Sequence, residues 1–290
     1  MDKNEPTQSL VEEWMCFTTA PIHYTKACDE QFHKRYYPHL RVIFLRMKKK
    51  GIVESVGGRE GFYRLVDDSA RPIEWQDYEA HTDSGLILPF DLRKYVFIYP
   101  DTTTIVAGSK SSGKTGFLYR TVVLNMYGKR KVKLLTCMEG GIGQLRDRFS
   151  SMDVEIPKPA PFDVIPVYGN FHDYVKEPQT LYIIDYIDAP EGTDFYLIGA
   201  QVKKIDQKLQ GLDSLAVIGL QKPTGRDTAF GGEQTLKAAT LYIALDTGKL
   251  KLVDVKVPVN KKLHPKNMQF SFEYEDEGTR FTNIDPFWGV

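Results

Sequence analysis

Residues 108–115, GSKSSGKT, place two glycines, a lysine and a threonine at the spacing G-x-x-x-x-G-K-T. Those residue types in that order suit the gripping of a polyphosphate. Glycines let consecutive backbone N–H groups turn inward around phosphate oxygens, and a helix that follows aims the positive end of its dipole at them. Lys114 is then placed to reach the β and γ phosphates, and the Thr115 hydroxyl to hold magnesium. The candidate nucleotide-binding residues are Gly108, Ser109, Lys110, Ser111, Ser112, Gly113, Lys114, Thr115 and Gly116.

This chemistry requires a strand before the loop and a helix after it. Thr104, Ile105, Val106 and Ala107 read as a buried strand, and residues 116–125 have helical apolar spacing. Further along, "KVKLLTCMEGGIGQLRDRF" reads as a strand leading to Glu139 and then a helix. "TLYIIDYID" is a buried strand that delivers Asp185, and "LAVIGLQKPTG" a strand ending in Gln221. Strand and helix patterns alternating from Leu92 onward predict an α/β core with a mostly parallel sheet and flanking helices. Its strand ends would carry these side chains to the nucleotide edge.

Phosphoryl transfer to water needs charge neutralisation by Lys114 and magnesium, an acid near that ion, a group orienting the water, and a sensor of the γ phosphate. Asp185 fits the metal role beside Thr115, Glu139 fits water activation and Gln221 fits the sensor.

Bulk properties set looser limits. A chain of 290 residues, 42% apolar and 26% charged, is ordinary for a soluble protein and long enough for one large core or two smaller ones. A formal net charge of zero argues against nonspecific polyanion binding by the whole surface and leaves local patches open. Cys16, Cys28 and Cys137 show no C-x-x-C spacing, which argues against a disulfide framework or a zinc knuckle; Cys137 reads as a small core residue. The N-terminus is polar, and no apolar run approaches the roughly 18 residues needed to cross a bilayer. A cytoplasmic setting and no membrane partner are expected.

The first unit is expected over residues 1–66. Helical spacing is visible in "SLVEEWMCF", in "TKACDEQF" and most clearly in "YYPHLRVIFLRMKKKG", which ends at Gly51. "IVESVGGREGFYRLV" then gives two short strands joined by a glycine-bearing turn. Three helices followed by a hairpin resemble the winged-helix pattern, a small α+β domain. Lys34, Arg35, Arg41, Arg46, Lys48, Lys49 and Lys50 lie between Phe32 and Val53 without an intervening acid. Winged helices place their third helix in the DNA major groove, which makes Arg41, Lys48 and Arg59 the DNA-binding candidates here. Docking of a protein partner is the competing use of the same face. Residues 67–91 lack a clear period and read as a linker, with Trp75 and Tyr78 able to pack on the second domain, residues 92–290.

The order of "GSKSSGKT", "LLTCMEGGIGQLRDRF", "LYIIDYID", "IGLQKPTGRD" and "GGEQTLKAATLYIAL" resembles the RecA-like P-loop ATPase core, and within it the ATPase domain of the DnaB-type replicative helicases. The family's strand-end Glu, "IDY" acid, strand-end Gln and acidic-amide pair correspond to Glu139, Asp185 with Tyr186, Gln221, and Glu233 with Gln234. The resemblance spans residues 89–281. It implies ATP and Mg2+ as cofactors, DNA as a partner, and a homo-oligomer, of which a hexameric ring is one form. The family's DNA-facing loops correspond to "APEGTDFYLIGAQVKK" and "QKPTGRDTAFGGEQ", giving Lys203, Lys204, Lys222 and Arg226 as basic candidates and Phe230 as a stacking residue.

Two departures stand out. DnaB-like rings insert a lysine and an arginine of a K-x-R stretch into the neighbour's site, whereas here Lys256 matches the lysine and Pro258 stands at the arginine position. Lys261 and Lys262 are nearby, but an ammonium is not a planar bidentate donor. The winged-helix pattern also replaces the helical primase-docking domain of the replicative enzymes. In the tail, "MQFSFEYE" alternates as a strand, and Phe287 and Trp288 are expected to close an edge of the core rather than to dock a partner. The combined pattern is open to three functions: an ATP-dependent DNA motor or loader, a nucleotide-gated DNA-binding switch with slow hydrolysis, and a protein-binding signalling ATPase.

Overall fold

The chain divides into two units, Met1–Tyr78 and Glu79–Val290, and the computed structural model describes residues 5–16, 21–30, 32–56, 58, 60–66, 75–77, 83–187, 196–275 and 278–288. In the first unit α1 (Gln8–Cys16), β1 (Ile22–His23), α2 (Lys26–Glu30), α3 (Tyr37–Lys49), β2 (Val53–Ser55) and β3 (Phe62–Leu65) follow one another. The strands form an antiparallel sheet in the order β1-β3-β2.

Leu40, Ile43, Phe44 and Met47 recur along α3 at i, i+3, i+4 and i+7, and all are buried. Pro38 occupies its first turn, where a missing N–H breaks no bond, and Gly51 at φ 72° follows its end. Phe44 stacks on Tyr63 of β3 with ring centroids 5.0 Å apart, which fixes the helix to the sheet. Arg41, Val42, Leu45, Arg46, Lys48 and Lys49 occupy the exposed side of α3. The two-residue β1 has no counterpart in the sequence reading, since it is too short to show a period.

The second unit contains β4 (Thr102–Gly108), α4 (Lys114–Asn125), β5 (Lys131–Thr136), α5 (Gly141–Ser150), β6 (Phe162–Pro166), β7 (Thr180–Ile187) and α6 (Tyr196–Leu209). It continues with β8 (Leu215–Gln221), α7 (Glu233–Leu236), β9 (Ala239–Asp246), β10 (Lys249–Val255), β11 (Met268–Glu275) and β12 (Arg280–Trp288). One nine-stranded sheet has the order β12-β11-β10-β9-β4-β8-β7-β5-β6. From β9 to β6 the strands run parallel, and β10, β11 and β12 extend the sheet as an antiparallel meander.

Consecutive strand residues face opposite sides, so burial on both faces explains the unbroken apolar runs. Val106, Leu134, Ile183, Val217 and Ile243 pack with Phe117, Leu118 and Val122 of α4 and Phe149 of α5. Ile105, Leu135, Ile184, Ile218 and Tyr242 pack on the other face with Ile198, Val202, Ile205 and Leu209 of α6. The strand order sets β4 between β8 and β9, while the chain after β4 crosses over to β5 beyond β7. That reversal opens a crevice at the carboxyl end of β4.

Three expectations are corrected. Part of the expected linker belongs to the core: Leu86, Leu88 and Phe90 are buried against the sheet, and Asn125 accepts from the Ile87 N–H at 2.9 Å and donates to its carbonyl at 2.7 Å. Pro89 masks the apolar residues at every second position. Trp75 belongs to the first unit, and Tyr78 lies outside the described residues. Cys137 lies one residue beyond β5 and is partly exposed. Phe287 and Trp288 sit on the edge strand β12 at 39% and 47% exposure, so they cover that edge only in part. Among the described residues no helix is long and apolar enough to cross a membrane.

Candidate functional site

β4 ends at Gly108 beneath the loop, where a Cβ would meet Ser112 Oγ at 2.6 Å and Lys114 Cβ at 2.8 Å. Only glycine lets the loop fold back this tightly. Ser111 and Gly113 adopt φ of 59° and 85°, and Gly113 caps α4, whose first residues are Lys114 and Thr115. Ser109 is buried, with its N–H bonded to the Leu245 carbonyl at 3.2 Å and its hydroxyl to Asp246 Oδ1 at 2.9 Å. Lys110 and Ser111 are exposed at the loop's crest.

Thr115 Oγ1 donates to Asp185 Oδ1 over 3.3 Å. Asp185, near the carboxyl end of β7, is 5% exposed. Burial pushes its carboxyl above the usual range, against the pull of Lys114, the Thr115 hydrogen bond and Arg148. Lys114 Nζ lies 3.6 Å from the centroid of the Tyr186 ring. Glu139 and Gln221 line the same cavity as residues 108–116, a space of about 760 Å³. Glu139 is exposed and follows Met138, whose N–H donates to Thr136 Oγ1 at 3.1 Å and whose φ is 55°. Three of the four candidate catalytic residues, Lys114, Glu139 and Gln221, therefore line one crevice because β4, β5 and β8 end on one edge, and the fourth, Asp185, is buried behind Thr115 at the end of β7.

The residues fit a magnesium nucleotide. Ser112 Oγ is buried within the loop without a hydrogen-bond partner in the protein, which leaves a polar atom for an incoming phosphate to satisfy. Among the described residues no group of three or more His, Cys, Asp or Glu could hold a metal alone. A hydroxyl and one carboxylate, Thr115 and Asp185, match magnesium, which takes the rest of its oxygens from phosphates and water.

Sequence reading missed the part of the cavity supplied by Arg148, Tyr274, Gly278 and Thr279. The Tyr274 hydroxyl donates to the Ser112 carbonyl, and a Cβ at Gly113 would meet its ring at 2.4 Å. A Cβ at Gly116 would meet the Gly278 carbonyl at 1.8 Å. The β11–β12 hairpin thus packs directly on the phosphate loop. Alternation of Phe270, Phe272 and Tyr274 signalled a common face, but nothing local connected that face to a loop so distant in sequence.

The DNA-binding candidates separate. Lys222 is buried, with its ammonium paired to Asp246, so it presents no charge to a surface phosphate. Lys203 and Lys204 are exposed on helix α6 rather than in a loop, while Arg226 is exposed in the loop after β8. Glu233 and Gln234 start α7 outside the cavity. In the first unit Arg41 is exposed and pairs with Glu60 at 3.2 Å, Lys48 is exposed, and Arg59 lies outside the described residues. Pro258 pairs with Val96 in an isolated bridge, Lys256 donates to the Lys237 carbonyl at 3.2 Å, and Lys261 and Lys262 are exposed. None of these four lines the cavity.

The fold is RecA-like. The chain is similar to a solved structure described as an ATPase domain, at 12% identity, with a TM-score of 0.51 over 86% of this chain and 99% of that one. It is also similar to a DnaB-like replicative helicase, described with its interactions with primase, at 11% identity and a TM-score of 0.53 over 96% of this chain and 76% of that one. No family model and no curated protein sequence matches it.

Proposed function

We propose that this protein binds and hydrolyses ATP with magnesium, and that it is a DNA-associated motor or loader. One observation carries the reading: Lys114, Thr115, Glu139 and Gln221 line a single cavity, and Asp185 accepts the Thr115 hydroxyl at its edge. The inward-turned loop and Lys114 would neutralise the β and γ phosphates. Thr115 and Asp185 would hold magnesium, which when bound draws charge from those phosphates. Glu139 would orient the attacking water, and Gln221 would report the γ phosphate to the loop that follows it.

The first unit is the proposed anchor. Its helices, its hairpin and the basic exposed side of α3 support a winged-helix reading, with Arg41 and Lys48 directed to DNA or to a docking protein. Assembly into a homo-oligomeric ring is part of the proposal, drawn from the resemblance to ring-forming helicase cores.

A second reading has its own support. Pro258 offers no guanidinium where DnaB-like rings insert one, which favours slow hydrolysis and a nucleotide-gated switch on DNA.

ATP turnover with and without single- and double-stranded DNA, beside Glu139→Gln and Lys114→Ala, tests both. Stimulation by DNA that both variants lose supports the DNA-linked ATPase. Strand displacement supports the motor over the switch, and turnover indifferent to DNA rules out both in favour of protein docking.

A further inference from the structure

The residue after Gln221 is a lysine whose side chain has no exposed surface. Lys222 Nζ donates to Asp246 Oδ1 over 2.6 Å and to the Arg226 carbonyl over 2.7 Å. The same carboxylate oxygen accepts the Ser109 hydroxyl of the phosphate loop at 2.9 Å. Backbone bonds run alongside, from the Lys222 N–H to the Gly108 carbonyl at 3.0 Å and from the Ser109 N–H to the Leu245 carbonyl at 3.2 Å. One ammonium therefore joins the ends of β4, β8 and β9 to residues 222–226.

An ammonium stripped of water needs a counter-charge, and Asp246 supplies it. The converse matters more for the site. A carboxylate bonded to the phosphate loop would repel an incoming polyphosphate unless a cation neutralised it.

We propose that Lys222 is a positioning residue of the nucleotide site: it neutralises Asp246, which bonds the phosphate loop, and fastens residues 222–226 to that loop. Neutralisation of Asp246 then governs triphosphate affinity, and the ammonium's bonds govern order in the loop after β8. The inference rests on the reading of residues 108–116 as a nucleotide site.

The test titrates fluorescent ATPγS and ADP, with magnesium, into the full chain and follows amide exchange over residues 223–232. Lys222→Met is expected to weaken ATPγS binding about tenfold or more, and ADP binding less, because ADP carries less charge toward the uncovered carboxylate. It should also abolish the slowing of exchange that ATPγS causes in the wild type. Adding Asp246→Asn to Lys222→Met is expected to restore affinity to within about threefold, a rescue that general damage to the fold would not allow. Should Lys222→Met fail to fold, Asp246→Asn alone carries the test. It keeps an acceptor for Ser109 but leaves the ammonium uncompensated, so it should tighten ATPγS binding severalfold and quicken exchange in residues 223–232. Unchanged ATPγS affinity in Lys222→Met or in Asp246→Asn, or a double variant no better than Lys222→Met, overturns the inference and leaves the nucleotide reading standing. Wild-type protein that binds neither nucleotide overturns both.

Discussion

The Thr115 hydroxyl donates to Asp185 across 3.3 Å, joining the first turn of α4 to the carboxyl end of β7. The acceptor is almost wholly buried, and burial raises its pKa above 3.8. Between the unfolded and folded values the folded protein binds more protons at Asp185 than the unfolded chain does. The contribution to stability is therefore full below the unfolded pKa and is lost as pH rises through the folded one. Asp185→Asn keeps an acceptor for Thr115 and removes the buried charge. In the absence of nucleotide and magnesium it is expected to raise stability near neutral pH by about 1 kcal/mol, or about 2–4 °C in Tm. The gain should vanish below about pH 4, and turnover should be lost. A variant less stable than wild type at pH 7 would contradict this account.

Gly116 faces the Gly278 carbonyl so closely that an added Cβ would lie 1.8 Å from the oxygen. Gly116→Ala must push the β11–β12 turn away from the phosphate loop. A loss of about 1–3 kcal/mol in urea unfolding is expected, with a weaker affinity for nucleotide. Wild-type stability would show that the turn can yield freely.

Tyr274 acts on the same loop through its ring and its hydroxyl. Its phenol is pushed up to about 12 by burial, so it stays a donor to the Ser112 carbonyl throughout the neutral range. Tyr274→Phe removes that bond alone, for about 1 kcal/mol. Tyr274→Ala also opens a gap beside Phe272 and Phe281, whose rings lie 5.0 and 5.9 Å away, and should cost about 3 kcal/mol. Equal losses in the two variants would mean that the ring contributes nothing.

On α3, Lys48 is exposed, whereas Arg41 is engaged by Glu60 at 3.2 Å. If this face meets DNA phosphates, Lys48→Ala should lower the salt slope of binding by about one. Glu60→Gln should strengthen binding by freeing Arg41. Indifference of DNA affinity to both changes would assign the face to protein docking.

The features legible in the residues alone are those whose causes are local. G-x-x-x-x-G-K-T specifies a turn that only glycines allow at Gly108 and Gly113, and apolar runs ending in Asp185 and Gln221 announce strands buried on both faces. The period of α3 fixed its buried side in the same way. What those elements meet was settled by packing. Whether Lys222 reaches solvent depends on Asp246 at the end of β9, which β4 separates from β8, and the letters QKPTGRD carry no record of that carboxylate. Residues 84–91 looked like a linker because their apolar alternation is short and interrupted by Pro89, and they became core when Asn125 of α4 supplied partners for the Ile87 backbone. Tyr274 reached the phosphate loop because an antiparallel meander carries β11 back along the sheet. Such contacts arise between elements distant in sequence, a term that local pattern does not contain.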